Sequence, residues 1–306
     1  MHTLHNPLLS LPVCRIRIDF TSRQKWEVYG REPLFRGQAG RYIRQSCCPF
    51  YDDPGKQCGN CGLSKGCLYL KLFAPPARNH HVAPRPFVPV LGGEDSRHFL
   101  EKGEKGSAGL TLFGPAIRHR SLFCEAALSA LSIFPLQTGP VRTEKPGGGF
   151  FPREEETVSR PLRDWVKKDL QPAACIKLRC ISPLRLTGKE RSPRDAVRFS
   201  VLMQALIRRL RDLKRAFDTD GDMGDSKEIF DKTGQVAVKE NHLKWERRRR
   251  FSPRQGQDVY LNGFTGTISF SGEMQYFYPL LKAAEIVHIG KGTSSGCGRV
   301  MLNAEC

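Results

Sequence analysis

Residues 263–300 read GFTGTISFSGEMQYFYPLLKAAEIVHIGKGTSSGCGRV and outline the final elements of the chain. Apolar and polar side chains alternate over 263–270, which predicts a strand with one buried face. Apolar residues recur at three- and four-residue spacing over 274–285, which predicts an amphipathic helix that is kinked or begins late near Pro279. Residues 299–302 then predict a closing strand.

The run Gly290-Lys-Gly-Thr-Ser-Ser-Gly-Cys-Gly298 lies just before that strand, with four glycines in nine positions. Glycine adds no side chain to a core and costs about 1 kcal/mol inside regular structure. We therefore interpret the run as backbone that can approach a ligand closely and donate its N–H groups to phosphate, with a flexible glycine–serine tail as the alternative. The spacing fits neither a P-loop nor a dinucleotide fingerprint. The residues predicted to contact the ligand are Gly290, Lys291, Gly292, Thr293, Ser294, Gly296, Gly298 and Arg299.

The composition favours a basic protein that binds a polyanion. The chain has 306 residues, with 49 Lys+Arg against 31 Asp+Glu and a formal net charge of +18. This excess favours nucleic acid over membrane as the partner, because no long apolar span accompanies it. With no secretory signal in view, the eleven cysteines predict a reducing, cytoplasmic location and disfavour a disulfide framework.

Two domains are predicted from length and from two alternating stretches. Residues 13–20 predict the first strand of one domain and residues 175–181 the first strand of another. Residues 139–161 read as loop and place a boundary nearby. The predicted domains are therefore 1–165 and 166–306.

Five cysteines lie close together in the first half of the chain, at Cys47, Cys48, Cys58, Cys61 and Cys67. The two-residue spacing of Cys58 and Cys61 lets both thiolates reach one tetrahedral ion. We predict a structural zinc site made by Cys48, Cys58, Cys61 and Cys67, with Cys47 as the alternative to Cys48. An iron–sulfur cluster uses the same ligands, and unbound reduced thiols are the other alternative.

Two basic segments in the second half are candidate RNA contacts. Residues 195–217 predict a helix with an apolar stripe and an arginine-rich remainder, and residues 244–250 place a tryptophan beside an arginine run. Guanidinium groups and aromatic rings stack on exposed bases, although a solvated charged surface is the alternative. The residues predicted here are Arg208, Arg211, Arg215, Arg248, Arg249 and Arg250.

Four motifs together resemble a known family. They are Leu34-Phe-Arg-Gly-x-x-Gly-x-x-Ile43, Pro86-Phe-Val88, Arg250-Phe-Ser-x-Arg-Gln255 and Gly263-Phe-Thr-Gly266, combined with the cysteine group and the glycine run. This pattern resembles the CRISPR-associated pre-crRNA-processing endoribonucleases of the RAMP superfamily, in the branch with a cysteine-rich insert.

The resemblance implies an α+β fold of two tandem ferredoxin-like domains, with a cysteine-rich insert at about 46–70 in the first. It also implies metal-independent cleavage of the CRISPR repeat. The 2′-hydroxyl next to the scissile phosphate attacks it and leaves a 2′,3′-cyclic phosphate and a 5′-hydroxyl. The crRNA product is then retained or passed to subunits of an effector complex.

The catalytic residues of this family are centred on a histidine, but residues 21–45, which match that region, contain none. Such cleavage needs a base, an acid and a cation. We therefore predict Arg23, Arg36, Arg41 and Tyr42, and then His81, as catalytic residues. The further candidates are His80, His119, His242 and His288. The alternative function is a RAMP subunit that holds crRNA without cleaving it, and a less favoured one is a zinc-stabilised nucleic-acid-binding protein unrelated to CRISPR.

Overall fold

The computed structural model describes residues 6–53, 58–75, 77–78, 81–92, 98–152, 155, 158–166, 174–186, 197–217, 223–252 and 257–303. Contacts within the chain divide it into two compact units. Residues 12–159 form the body of the first, and most of the chain from residue 160 onwards forms the second. Residues 6–11 belong with the second unit, although they precede the first in sequence.

The first domain contains eight of the strands and four of the helices of the described chain. The strands are β1 (Pro12–Ser22), β2 (Trp26–Glu27), β3 (Ala77–Arg78), β4 (His81–Val82), β5 (Phe87–Leu91), β6 (Phe99–Leu100), β7 (Lys105–Phe113) and β8 (Leu136–Thr143). The helices are α1 (Glu32–Cys47), α2 (Leu68–Leu72), α3 (Pro115–Arg118) and α4 (Arg120–Leu131).

The main sheet of this domain is antiparallel with the order β5-β7-β1-β8. Together with α1 and α4 this is the βαββαβ arrangement of a ferredoxin-like fold. Alternation in β1 buries Cys14, Ile16, Ile18 and Phe20 in one hydrophobic core with residues of α1 and α4. The predicted first strand is therefore present and two residues longer at its end.

Helix α1 begins at Glu32, and Pro33 occupies its first turn, where the missing N–H is not needed. The helix continues through Gly40, which lies against the ring of Phe73 so closely that a Cβ would overlap it. The glycine therefore permits helix packing here instead of ending the helix.

The second domain contains the remaining described elements. Its strands are β9 (Arg160–Pro161), β10 (Cys175–Leu184), β11 (Ala237–Asn241), β12 (Lys244–Glu246), β13 (Arg249–Ser252), β14 (Gln257–Tyr260), β15 (Gly263–Ser271) and β16 (Val300–Asn303). Its helices are α5 (Leu162–Val166), α6 (Phe199–Phe217), α7 (Lys227–Thr233) and α8 (Tyr278–Val287).

Its sheet has the order β11-β15-β10-β16, so β10, α6, β11, β15, α8 and β16 repeat the βαββαβ arrangement. The predicted late helix start is confirmed, since α8 begins at Tyr278 with Pro279 in its first turn after a short 3-10 turn. The glycine run connects α8 to β16. The predicted α+β fold with tandem ferredoxin-like domains is confirmed.

Among the described residues, no helix is long and apolar enough to cross a membrane. Nine of the described cysteines are free thiols, and Cys175 is disulfide-bonded.

Candidate nucleic-acid interface

The four glycines of the run 290–298 all adopt positive φ angles, between 71° and 83°. A Cβ at Gly290 would overlap the carbonyl oxygen of Arg185, and one at Gly298 would overlap that of Ile289. These two glycines are therefore required by the contacts of the loop with its own chain. The predicted RNA contacts of Gly290 and Gly298 stay predictions, because close packing within the chain already accounts for glycine at both positions.

Backbone hydrogen bonds attach both ends of the loop to the end of β10. The N–H of Lys291 donates to the carbonyl of Arg185 at 2.9 Å, and the N–H of Gly298 donates to that of Pro183 at 3.0 Å. Ile289 N–H donates to the Gly298 carbonyl at 2.9 Å and closes the base of the loop. The loop is thus an ordered part of the domain, which argues against the flexible-tail alternative.

The centre of the loop offers backbone donors. Within the described part of the chain, the N–H groups of Gly292, Thr293 and Ser294 have no hydrogen-bond acceptor. Gly292 has a left-handed conformation at the start of the short 3-10 turn Thr293–Ser295, and it is exposed together with Lys291. Consecutive N–H groups in such a turn form a concavity that suits an anion such as phosphate.

Arg299 does not lie on this surface. The residue is only 8% exposed, and its backbone is held by β10, since its N–H donates to the Ser182 hydroxyl and its carbonyl accepts from Ile181. A buried guanidinium cannot reach RNA without a rearrangement, so the prediction of an RNA contact at Arg299 is corrected.

Helix α6 buries its predicted apolar stripe. Its arginines form two groups, one exposed to solvent and one directed into the protein. Arg208 and Arg215 are exposed. Arg211 is directed into the protein, where its Nη2 donates to the Ser226 hydroxyl at 3.0 Å and to the Gly224 carbonyl at 3.4 Å. Arg211 therefore holds the segment before α7, and its predicted RNA contact is corrected.

Arg209 is a residue that the sequence analysis did not select. Its Nε donates to the carbonyl of Val287, the last residue of α8, at 3.3 Å. Burial lowers the pKa of the Arg209 guanidinium to about 10, an effect that the nearby Asp212 partly offsets. The cation stabilises the carbonyl end of the helix that leads into the glycine loop. Its position beside the apolar stripe, between Ile207 and Leu210, is the sequence signal for partial burial.

The arginine run continues into a hairpin of β13 and β14. Arg249 lies opposite Tyr260 across the two strands; its side chain is 70% exposed, and Tyr260 is 59% exposed. Arg249 also lies 3.3 Å from the Asp258 carboxylate. Arg248 instead pairs with Glu246 at 2.8 Å and Arg250 is partly buried, so Arg249 is the most accessible of the three predicted contacts.

The catalytic candidates on α1 each have a separate partner. Arg41 donates to the Tyr51 hydroxyl at 3.0 Å, and the Arg36 guanidinium lies 4.6 Å from the centre of the Phe73 ring. Tyr42 donates its hydroxyl to Glu125 of α4 at 2.9 Å. These three contacts lead to three different residues, so the helix presents the side chains in different settings.

The environment of Tyr42 has a chemical consequence. The hydrogen bond to the Glu125 carboxylate raises the pKa of the phenol. A phenol in this setting stays protonated near neutral pH, so Tyr42 is suited to donate a proton and not to accept one.

The other catalytic candidates are spread over the first and second domains. Arg23 is exposed in the turn after β1. His81 belongs to β4, but its side chain, like the whole of His80, lies outside the described residues. His119 is partly exposed and His242 is exposed. His288 is completely buried, which removes it from the catalytic candidates.

Both halves of the chain match known families. Residues 178–300 match the CRISPR-associated endoribonuclease Cas6. This match lies within the second domain. The predicted family resemblance is thereby confirmed, and residues 11–133 match a second family that is described as an N-terminal domain.

Solved structures of Cas6 proteins share the fold of the whole chain. A Cas6 product complex has a TM-score of 0.54 at 13% identity and covers 95% of this chain and 100% of its own. Thermus thermophilus Cas6 has a TM-score of 0.52 at 13% identity, and the match covers 96% of this chain and 99% of that protein. A chain of a partial Cas6-RT-Cas1–Cas2 complex has a TM-score of 0.56 at 14% identity. The match covers 97% of this chain but only 47% of that longer chain. No curated protein matches the chain.

The cysteine group precedes helix α2 in the first domain. Cys47, Cys48, Cys58, Cys61 and Cys67 are free and partly buried. Across the described residues, no three His, Cys, Asp or Glu side chains are close enough to hold a metal ion. The four-thiolate shell predicted at Cys48, Cys58, Cys61 and Cys67 is therefore not assembled in this structure.

Proposed function

We propose that this chain is a metal-independent endoribonuclease that cleaves the CRISPR repeat in pre-crRNA and retains the product. The observation that carries the proposal is the Cas6 match over residues 178–300, which coincides with the domain whose glycine loop offers unpaired N–H groups. The loop would hold repeat phosphates through Gly292, Thr293 and Ser294, while Lys291 supplies a positive charge beside them.

In the proposed reaction the 2′-oxygen loses its proton and forms a bond to the adjacent phosphorus, and the bond from phosphorus to the 5′-oxygen breaks. The 5′-oxygen takes up a proton, which leaves a cyclic phosphate and a free hydroxyl. Arg23, Arg36 and Arg41 are the proposed cations for the charge on the pentacoordinate phosphorus, and Tyr42 is the proposed proton donor. His81 is the proposed base.

The alternative function is a subunit that binds crRNA without cleaving it. The observation that favours it is the separation of Arg36, Arg41 and Tyr42, each of which contacts a different neighbour of its own chain. A catalytic group needs hydrogen-bond reach to the reacting atoms, although contacts of a free enzyme often tighten once substrate binds.

A cleavage assay separates the two functions. The substrate is a labelled repeat hairpin from the genome that encodes the chain, in the presence of EDTA, and a matched substrate carries a 2′-deoxy nucleotide at the cut. The endoribonuclease cleaves the first and leaves the second intact. Tight binding of both without cleavage would establish the non-catalytic subunit, and Arg23, Arg36, Arg41, Tyr42 and His81 would lose their proposed roles.

We also propose a structural zinc ion bound by Cys48, Cys58, Cys61 and Cys67. The two-residue spacing of Cys58 and Cys61 supports it, because this spacing lets two thiolates meet one tetrahedral ion. A second support is that burial acts to lower the pKa of the Arg44 guanidinium while Cys48 and Cys58 both act to raise it, so thiols from two sides of the segment lie near one cation. Metal binding would draw together thiols that this structure leaves apart.

Metal analysis and thermal unfolding test the zinc proposal. The double variant Cys58→Ser, Cys61→Ser should lose about one zinc ion per chain and unfold at a lower temperature, because a structural zinc contributes directly to folding. Cys124→Ser is the matched control, since Cys124 is a partly buried thiol of α4 outside the group. Native protein purified without chelator and free of metal would contradict the proposal.

A further inference from the structure

His288 has the most unusual backbone conformation in the described chain. It is the one non-glycine residue there with a positive φ angle, with φ at 57° and ψ at 163°. This combination is almost restricted to glycine, and a side chain persists in it only where surrounding contacts impose it. The residue is fully buried at the end of α8, two residues before the glycine loop begins.

The His288 ring reaches across the base of the loop. Its Nδ1 lies 3.2 Å from the carbonyl oxygen of Cys297, on the outgoing side. Because a carbonyl oxygen can only accept, Nδ1 must carry the proton in this hydrogen bond. The contact lies beside the backbone bond from Ile289 to Gly298, so side chain and main chain together join the two ends of the loop.

Ser182 of β10 holds the outgoing side from a second direction. Its hydroxyl donates to the Gly296 carbonyl at 2.7 Å and accepts from the Arg299 N–H at 2.9 Å. The residue is 5% exposed, so water does not compete effectively for these bonds. One hydroxyl thus satisfies two backbone groups on either side of Gly298.

We propose that His288 and Ser182 are positioning residues that hold the N–H groups of Gly292, Thr293 and Ser294 in their RNA-binding arrangement before RNA arrives. A donor array that is already fixed loses less conformational entropy on binding than a mobile one. The strained histidine is consistent with this role, since glycine would satisfy the backbone alone but could not make the bond to Cys297. The inference rests on the proposed RNA-binding function of the loop.

His288→Gly and Ser182→Ala each remove one of the two side-chain contacts. His288→Gly relieves the backbone strain and deletes the ring, whereas His288→Asn keeps a side-chain donor at this position. Ser182→Ala deletes the hydroxyl. The matched control is Ser269→Ala, because Ser269 is also fully buried in the same sheet but its hydroxyl has no partner among the described residues.

The measurements are amide hydrogen exchange of residues 292–295 in the free protein and the dissociation constant for the repeat hairpin. In His288→Gly and Ser182→Ala we expect the loop amides to exchange faster and RNA to bind about tenfold more weakly. A tenfold change corresponds to the loss of one net hydrogen bond. His288→Asn should recover part of the affinity, and Ser269→Ala should match the unaltered protein in both measurements. The midpoint of thermal unfolding for His288→Gly should stay close to that of the unaltered protein.

Unchanged loop exchange in both His288→Gly and Ser182→Ala would overturn the proposal. Weaker RNA binding that accompanies lower global stability, with no faster exchange in the loop, would also overturn it and leave a purely structural role. Failure of the unaltered protein to bind the hairpin would instead refute the proposed function. The hydrogen-exchange comparison is made without RNA, so it would still decide whether the two residues fix the loop.

Discussion

The glycine loop and the β13–β14 hairpin differ in what determines the position of their polar groups. In the loop, backbone bonds to Arg185 and Pro183 fix the main chain, and the donors are N–H groups that cannot rotate away. In the hairpin, the donors lie at the ends of long side chains. Arg249 is exposed and has a carboxylate of its own chain, Asp258, at 3.3 Å.

This difference separates two contributions to RNA binding. Fixed N–H groups require a phosphate at a particular place, so the loop is suited to determine the position of the RNA. An exposed arginine side chain loses up to about 2 kcal/mol of rotamer entropy when it is immobilised, but it adapts to several backbone positions and attracts any phosphate. The hairpin is therefore suited to salt-dependent affinity.

The largest expected effect is that of Gly298→Ala. Its φ of 71° disfavours any side chain, and the added Cβ would overlap the Ile289 carbonyl. We expect the free energy of unfolding to fall by roughly 3 kcal/mol, the combined cost of a left-handed residue and of overpacking. Chemical denaturation of the purified variant measures this change.

Gly37→Ala is the matched control for that substitution. Gly37 lies within α1, and a Cβ there would have no heavy atom within 4 Å. We expect this variant to be more stable by about 0.5–1 kcal/mol, because alanine is the better helix former. Equal stability of Gly298→Ala and the unaltered protein would show that the loop is as adaptable as the hairpin.

The second largest expected effect is a loss of stability on replacing Arg211, which is directed into the protein, compared with Arg208, which is exposed on the same helix. Arg211→Ala removes the bonds to Ser226 and Gly224, and we expect the free energy of unfolding to fall by about 1–2 kcal/mol. Arg208→Ala, at an exposed position, should change it by less than about 0.5 kcal/mol and should weaken RNA binding instead. Denaturation and RNA titration of both variants test the assignment, and the reverse pattern would contradict it.

The parts of the fold that could be predicted are those with a strong local pattern. The alternation in β1 and β10 and the apolar stripe of α6 were sufficient to place these elements. The first half of β7 was not predicted, because Lys105-Gly-Ser-Ala-Gly109 has small residues where alternation would be expected. The extent of α1 is hard to predict because Gly37 and Gly40 are poor helix formers, and glycine at position 40 is required by Phe73, a residue distant in sequence.

The candidate site was predictable to a smaller extent for the same reason. The glycine run itself predicts a loop that could bind a ligand, but the requirement for glycine at 290 arises from Arg185, more than a hundred positions earlier. Burial of Arg299 and the inward direction of Arg211 likewise depend on tertiary neighbours. Charge in a sequence indicates where arginines are, whereas the fold determines which of them are accessible.

The smallest expected effect is a change in the salt dependence of RNA binding on replacing Arg249. Arg249→Glu should lower the slope of log K against log salt by about 1, because one fewer counterion is displaced from the RNA backbone. Lys227→Glu has the same charge change at an exposed position of α7 outside the hairpin, and it serves as the matched control. The measurement is repeat-hairpin affinity over a series of salt concentrations. If the slopes of Arg249→Glu and Lys227→Glu were identical, the hairpin would be an ordinary solvated surface, and the loop alone would account for the specific part of the interface.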